Sequence, residues 1–367
     1  MRIGLMLRAL DERGGVGVYA RNLTEELLAL DRHNHYVLLY RSAEQLGRFS
    51  HYPNVTERVV RAPGKALWDQ IAVPWRLWRD RVDVVFHPKF TVPLLAPCPS
   101  LMVLHGAGWF LTDFFGKWDV RYVKLVMPLY LRRATKVLAV SPATKETFNA
   151  VFNLPDGLIQ TVYFGPASHF RRVENPDRLA EVRARYDLPD RFVFTLTKAN
   201  GGERKNIAGI LEAFRLLHLR TGGKLVIGGK GCERFSEDYG VSEQSYGPDV
   251  LFPGWISQED LPAVYSLADV FLYPSNLESA SIPLMEAMAC GTPIVTSRVP
   301  DMMNVADNAA VFVDPARPDE IAEATQRVLE DPELAHRLGE RGLARSSIFS
   351  WKKCAQETLD LIEAAAA

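Results

Sequence analysis

Short runs that are apolar throughout recur along the first half of the chain: RIGLML, HYVLLY, VDVVF, SLMVLH and KVLAVS. Stretches long enough for amphipathic helices separate them. After Pro166 the rhythm restarts with FVFTLT, KLVIGG, DVLFPG, DVFLYP and TPIVTS. A strand without polar alternation is a strand buried on both faces, and strands alternating with helices build parallel sheets covered on both sides. Two such series predict an α/β protein of two doubly wound, Rossmann-like domains. The mixed stretch FGPASHFRRVENPDR marks the boundary, placing one domain at 1–167 and the other at 168–350. A last helix, from about Trp351 to Ala367, follows a break at Ser346 to Ser350 and is free to pack back onto the first domain. In open sheets of this kind ligands bind beyond the carboxyl ends of strands, so two domains facing across a cleft would hold the site between them.

Composition agrees with this and narrows it. A chain of 367 residues is long for one hydrophobic core. A hydrophobic share of 47% and a charged share of 24% belong to an ordinary globular protein. The net charge of −1, from 43 basic and 44 acidic residues, gives no footprint for a nucleic-acid partner. The four cysteines, Cys98, Cys232, Cys290 and Cys354, form no CxxC pair, which speaks against a disulfide framework or zinc knuckle and fits a reducing, cytoplasmic setting. The five-residue apolar run before Arg8 is too short for a signal-peptide core and reads as a first strand. No segment approaches the roughly 18 apolar residues that span a bilayer, so the expectation is a soluble protein, at most peripheral at the inner membrane face. There is no HExxH or similar cluster, and neither a metal nor a cofactor is expected.

Candidate chemistry concentrates in LADVFLYPSNLESASIPLMEAMACGTPIV. Tyr273-Pro274-Ser275 ends a strand, Ser281 and Pro283 start a short helix, and Gly291 with Pro293 stops it. A helix N-terminus there offers free N–H groups and partial positive charge, which suits a phosphate. Glu286 sits about one turn in, where an acid accepts hydrogen bonds from hydroxyls as acids do from ribose in dinucleotide sites. Glu278, on the loop before, would face the other end of a ligand made of ribose, two phosphates and a sugar. From these residues alone, a solvated loop Glu278 and a surface Glu286 remain the alternative. Arg204 and Lys205, after the strand FVFTLT, put cations beside another helix start, either as part of a diphosphate site or as solvated surface charges. Gly15 to Ala20 spells GxGxxA, but the loop from Leu7 is long for a Rossmann turn. No acid follows the next strand at Tyr40-Arg41-Ser42 to hold a ribose.

The ExxxxxxxE spacing after a PS-terminated strand, followed by AMACGTPIV, resembles the family-4 retaining glycosyltransferases of the GT-B fold. GGVGVYARNL, VLHGAGWF, GGERKNIAGILEAF and LFPGWISQEDLPAVYSLADVFLYPS resemble that family's other segments in the same order. The resemblance implies a sugar moved from a nucleoside-diphosphate sugar to an acceptor hydroxyl on a glycan, glycolipid or small molecule, with retention and without a general-base side chain. It implies that Glu286 binds ribose and Glu278 contacts the sugar. The backbone at Ser281 and Ile282, with Arg204 and Lys205, would bind the diphosphate, and His105 a hydroxyl near C6 of the sugar. Gly14 and Gly15 would let backbone approach the diphosphate and acceptor, the latter bound by the N-terminal domain. Three departures matter. Lys198 stands near where the family places an arginine, Gly106 replaces an aspartate, and Ser279-Ala280-Ser281 replaces Gly-Phe-Gly, which makes room in the sugar pocket. A nucleotide-sugar epimerase of the same fold, a nicotinamide-dependent oxidoreductase and a catalytically silent partner of another transferase are the competing readings.

Two aromatic stretches complete the inventory. In ALWDQIAVPWRLWRD, positions 68, 71, 75 and 78 fall on one face of an ideal helix, so core packing is expected there. GWFLTDFFGKWDVRYVK, with Trp109, Phe110, Phe114, Phe115 and Trp118, stands open between core packing and a surface serving the acceptor, an acceptor channel or a face leaning on a membrane to reach a lipid-linked acceptor.

Overall fold

The apolar runs do form strands, and each is short because its chain must turn back through a helix. In the computed structural model, residues 1–12, 14–111, 116–197, 202–221, 223–241 and 249–367 are described, with backbone alone at 117–119 and 218–221. The chain divides into two units, Met1–Phe164 with Ser350–Ala367, and Gly165–Phe349.

The first unit holds β1 (Arg2–Met6), β2 (His35–Tyr40), β3 (Val55–Val59), β4 (Val84–His87), β5 (Ser100–Leu104), β6 (Lys136–Ala139) and β7 (Ile159–Thr161). They pair in the order β3-β2-β1-β4-β5-β6-β7, all parallel. The second unit holds β8 (Val193–Leu196), β9 (Leu225–Gly228), β10 (Val250–Gly254), β11 (Val270–Tyr273), β12 (Ile294–Ser297) and β13 (Ala310–Val313). These run β10-β9-β8-β11-β12-β13, again all parallel. Strand order reverses between β1 and β4 in the first unit and between β8 and β11 in the second. Such switch points open a crevice at the strands' carboxyl ends. Every side chain of β11 is at most 2% exposed. Burying residues of that size contributes about 1.5–3 kcal/mol each, so the loop that follows is carried on a rigid support.

One expectation fails for a physical reason. The helix spanning 65–79 is α-helical at Lys65–Leu67, π-helical at Trp68–Ala72 and α-helical again at Val73–Arg79. The wide π turn inserts a five-residue step, so the buried face runs through 68, 73 and 77 rather than 68, 71, 75 and 78. Trp68 is fully buried and donates its Nε1–H to the Val60 carbonyl at 2.8 Å. Ile71, Trp75 and Trp78 are instead 61, 54 and 69% exposed. In the second aromatic stretch Trp109 and Phe110 pack against a core. The Phe110 ring lies 5.3 Å from Phe148 and 5.5 Å from Phe152, both edge-on. Phe114, Phe115 and the Trp118 side chain lie outside the described residues.

Candidate active site

In the second unit the turn after β8 is bent by Asn206, which holds the left-handed conformation (φ 59°) that asparagine tolerates better than most residues. Its amide donates to the Pro274 carbonyl at 3.1 Å and the Pro315 carbonyl at 2.7 Å, fastening this turn to the end of β11. Asn276 locks the junction from the other side, its backbone N–H donating to the Arg204 carbonyl at 3.0 Å and its amide to the Glu203 carbonyl at 2.9 Å. The helix Ile207–Thr221 therefore starts two residues after Lys205, and both cations lie in the preceding turn.

This brings three donors onto one carboxylate oxygen. Arg204 Nη1 donates to Glu278 Oε1 at 2.9 Å and to the Leu277 carbonyl at 3.2 Å. The Lys205 ammonium donates to the same Oε1 and to the Tyr273 hydroxyl, and lies 4.3 Å above the Tyr273 ring. Tyr273 in turn donates to Oε1 at 3.3 Å. Glu278 and Lys205 are 9 and 12% exposed against 37% for Arg204. Low exposure strengthens charge-assisted hydrogen bonds of this kind. Among the described residues no hydrogen bond reaches Glu278 Oε2.

Three residues after Glu278, Ser281 caps the helix Ile282–Ala289 in position only: its backbone is extended as an N-cap requires, but its hydroxyl makes no cap hydrogen bond. The Ser281 hydroxyl, Ser275 after β11 and Ser297 at the end of β12 are buried without a partner among the described residues. Glu286 is 5% exposed inside this helix. Tyr265 donates to its Oε2 at 3.2 Å, yet burial dominates and pushes the carboxyl up to about 8. Glu286 is therefore largely a neutral acid at pH 7, able to donate as well as accept. Ser279 and Ala280, half-buried, join Glu278 to the helix.

Gly14, Gly15 and His105 belong to the first unit. Gly14 caps the helix Gly15–Leu30, and a Cβ at Gly14 or Gly15 would meet nothing within 4 Å. Gly17 is the position where geometry demands glycine, since a Cβ there would stand 2.0 Å from the Glu12 carbonyl oxygen. His105 follows β5, with Nε2 3.0 Å from the Pro88 carbonyl oxygen. A carbonyl only accepts, so Nε2 carries the proton and Nδ1 presents a lone pair. Burial pushes the imidazole down to about 4, so it is neutral at pH 7. The loop bearing Pro88 is held by a buried chain in which Arg8 donates to Asp69 at 2.8 and 2.9 Å, Thr91 donates to Asp69 at 2.9 Å, and His87 Nδ1 lies 2.8 Å from the Thr91 carbonyl. Lys198 lies outside the described residues. Tyr273, Tyr265 and Asn206 complete the constellation without having been singled out in the sequence. Only Asn206, polar between a turn and an apolar helix, carried a local signal.

Two family models match the chain, Glycosyltransferase Family 4 over residues 13–165 and Glycosyl transferases group 1 over residues 180–345. Between them they cover the strand-end segments of both units. The chain is a family-4 glycosyltransferase. Among curated relatives, this glycosyltransferase is 28% identical to O-antigen chain mannosyltransferase B of Escherichia coli, over 78% of its own length and 75% of the relative's. It is 29% identical to a GDP-mannose-dependent phosphatidylinositol monomannoside mannosyltransferase of Mycolicibacterium smegmatis, over 90 and 89%. Its match to the serotype-specific mannosyltransferase WbdA of Escherichia coli takes in 62% of this chain but 28% of that longer protein. Solved structures establish the GT-B architecture. Sucrose-phosphate synthase of Thermosynechococcus elongatus superposes with a TM-score of 0.78 at 22% identity over 99 and 98% of the two chains. Anabaena HepE in complex with UDP does so at 0.79 and 15% over 99% of each.

Proposed function

We propose that this glycosyltransferase moves mannose from GDP-mannose to a hydroxyl of a glycan acceptor, with retention at the anomeric carbon. The observation that carries the donor reading is the convergence of Arg204, Lys205 and Tyr273 on Glu278 Oε1 beside the start of the helix Ile282–Ala289. Two cations and a helix N-terminus suit a diphosphate, and Glu278 Oε2 suits a sugar hydroxyl. The mannosyl identity is supported by the named relatives, not by the pocket.

Arg204 and Lys205 would turn toward the phosphates as the bond from the anomeric carbon to the diphosphate oxygen breaks. They would offset the negative charge developing there. The acceptor oxygen attacks the same face and its proton passes to the departing phosphate oxygen. With that oxygen as base, the neutral His105 is left to accept a hydrogen bond from a sugar hydroxyl through Nδ1. Because two side-chain cations offset the charge, no metal is assigned to the step, and activity in excess chelator tests this directly.

A thermal-shift series with GDP, UDP, ADP and dTDP and their hexose conjugates tests the donor. A ligand selective for the folded state raises the melting temperature. GDP and GDP-mannose should give the largest shifts. No shift with any of them at millimolar concentration would remove the donor assignment, and a larger shift with UDP would reassign the base. Incubating GDP-mannose without acceptor should leave its sugar unchanged. Isomerisation would favour the epimerase reading instead.

A further inference from the structure

The exposed tryptophans of the 65–79 helix are not an isolated oddity. Leu67 (43%), Ile71, Trp75 and Trp78 run along the outer side of that helix. A second exposed apolar line, Tyr122 (52%), Leu125 (74%) and Leu129 (48%), runs along the helix Lys117–Arg133. Both helices cover one face of the same sheet. His87 pairs in register with Met102, so Val85 and Met102 project from one side. Val85 packs with Val73 and Leu77 of the first helix, Met102 with Val123 and Met127 of the second.

The segment after β4 bridges the two helices. Gln70 donates to the Val92 carbonyl at 3.0 Å and accepts the Leu94 N–H at 2.8 Å. Arg133 donates to the carbonyls of Leu94, Ala96 and Cys98 at 3.2, 2.6 and 2.9 Å. At the crest of this bridge Leu95 is 77% exposed. The result is one outward layer of apolar side chains carried on two helices and a braced loop.

Its charge is one-sided. Arg61, Lys65, Arg79 and Arg81 around the first helix and Arg121, Lys124 and Arg132 on the second are all exposed. No ion pair involves any of these among the described residues. The described acids of the two helices are already engaged: Asp69 is buried against Arg8, and Asp80 is held by Arg76 and Arg58. Arg79 sits 5.3 Å over the Trp75 ring, a cation presented on an indole. In a chain whose net charge is −1, this is a local cationic surplus.

We propose that this face of the first unit docks on an anionic phospholipid surface, with Ile71, Trp75, Trp78 and Leu95 entering the headgroup boundary and the surrounding arginines and lysines meeting lipid phosphates. Exposed tryptophan with interspersed cations and, among the described side chains of the two helices, no unpaired acid is the chemistry of an interfacial helix. A second copy of this chain is disfavoured as occupant, because self-pairing would oppose like-charged rims. The proposal stands apart from the identity of the donor.

The test is co-sedimentation of the full chain with vesicles of phosphatidylcholine alone and of phosphatidylcholine mixed with phosphatidylglycerol, with tryptophan emission recorded in parallel. Binding should be confined to the mixed vesicles, weaken as salt is raised, and shift emission to the blue. Trp75→Ser/Trp78→Ser and Arg79→Gln/Arg81→Gln should each lower the partition constant about tenfold or more, while leaving melting temperature and the GDP-induced thermal shift unchanged. Equal binding to both vesicle types, or undiminished binding by the tryptophan variant, would overturn the proposal. So would a wild-type dimer in gel filtration that the tryptophan variant converts to monomer, which would hand the face to a second copy. Because the GDP shift is read on the same samples, failure of membrane docking and failure of the donor assignment are told apart.

Discussion

Glu286 carries the sharpest chemical consequence at the scale of single residues. Its carboxyl titrates at about 8 in the folded chain against 4.5 for an unburied glutamate. The folded state therefore keeps a proton that the unfolded state releases, and stability falls as pH rises through that window, by an amount on the order of a few kcal/mol. Glu286→Gln should flatten this slope, which denaturation midpoints at about pH 5 and pH 8 will show. If ribose hydroxyls donate to the ionised carboxylate, GDP binding near neutrality must expel that proton. Calorimetry in buffers of different ionisation enthalpy should detect the release in the wild type and lose it in the variant; heats independent of buffer would exclude an ionised Glu286 as the ribose ligand and leave it only the neutral acid's role. Lys205→Ala should slow turnover about a hundredfold or more while sparing donor affinity, since the ammonium acts most on charge that develops as the bond breaks. Unchanged kcat would remove Lys205 from the step. These roles were approachable from the sequence because an acid in LMEAMA is anomalous wherever it sits. Tyr265 was not, as it reaches Glu286 from a separate helix and 21 positions away.

At the scale of elements, legibility followed burial. Strands in the middle of each sheet are apolar on both faces and stand out as continuous runs. β3 and β7 went unread because each is an edge strand with an open outer side, and VTERV and IQT show neither a long apolar run nor clear alternation. The edges of the second sheet do not follow this rule: β10 was legible in DVLFPG, and β13 was passed over although AVFV is apolar throughout. The 65–79 helix was legible as a helix but not in phase, because a π turn leaves no mark in an apolar pattern that an ideal helix also satisfies. In the first glycine-rich helix GxGxxA and the glycine before it draw attention to the entry at Gly14 and Gly15, and a separate packing constraint went unread: the close approach within the fold is at Gly17, where the helix meets the turn that precedes it. Gly17→Ala should cost about 2 kcal/mol or more, because a backbone carbonyl, not a flexible side chain, must move. Gly15→Ala should cost little, having open space before it. Equal melting temperatures for the two variants would show that the Glu12 turn yields more readily than its packing implies.

Across the whole molecule, the chain passes between its units twice, at Phe164–Gly165 and at Phe349–Ser350. Both crossings are anchored in the first unit by the same aromatic contact. Trp351, at the start of the helix Trp351–Ala366, stacks on Phe164 with ring centroids 5.2 Å apart and planes 18° apart, and Tyr19 meets both rings edge-on at 5.5 Å. Removing that ring should therefore weaken the first unit and leave the second unit's donor-binding residues intact. Trp351→Ala should lower stability by about 3–5 kcal/mol, the usual cost of an emptied aromatic site. Trp351→Phe should cost far less, since the Trp351 Nε1–H is itself buried without a partner among the described residues and phenylalanine removes that donor while keeping most of the stack. Hydrogen exchange should then accelerate in the helices Gly15–Leu30 and Trp351–Ala366 of the alanine variant, with exchange in the helix Ile282–Ala289 and GDP affinity unchanged. Faster exchange in that last helix, or weaker GDP binding, would mean that the stack supports the donor site across the division between the units and not the first unit alone.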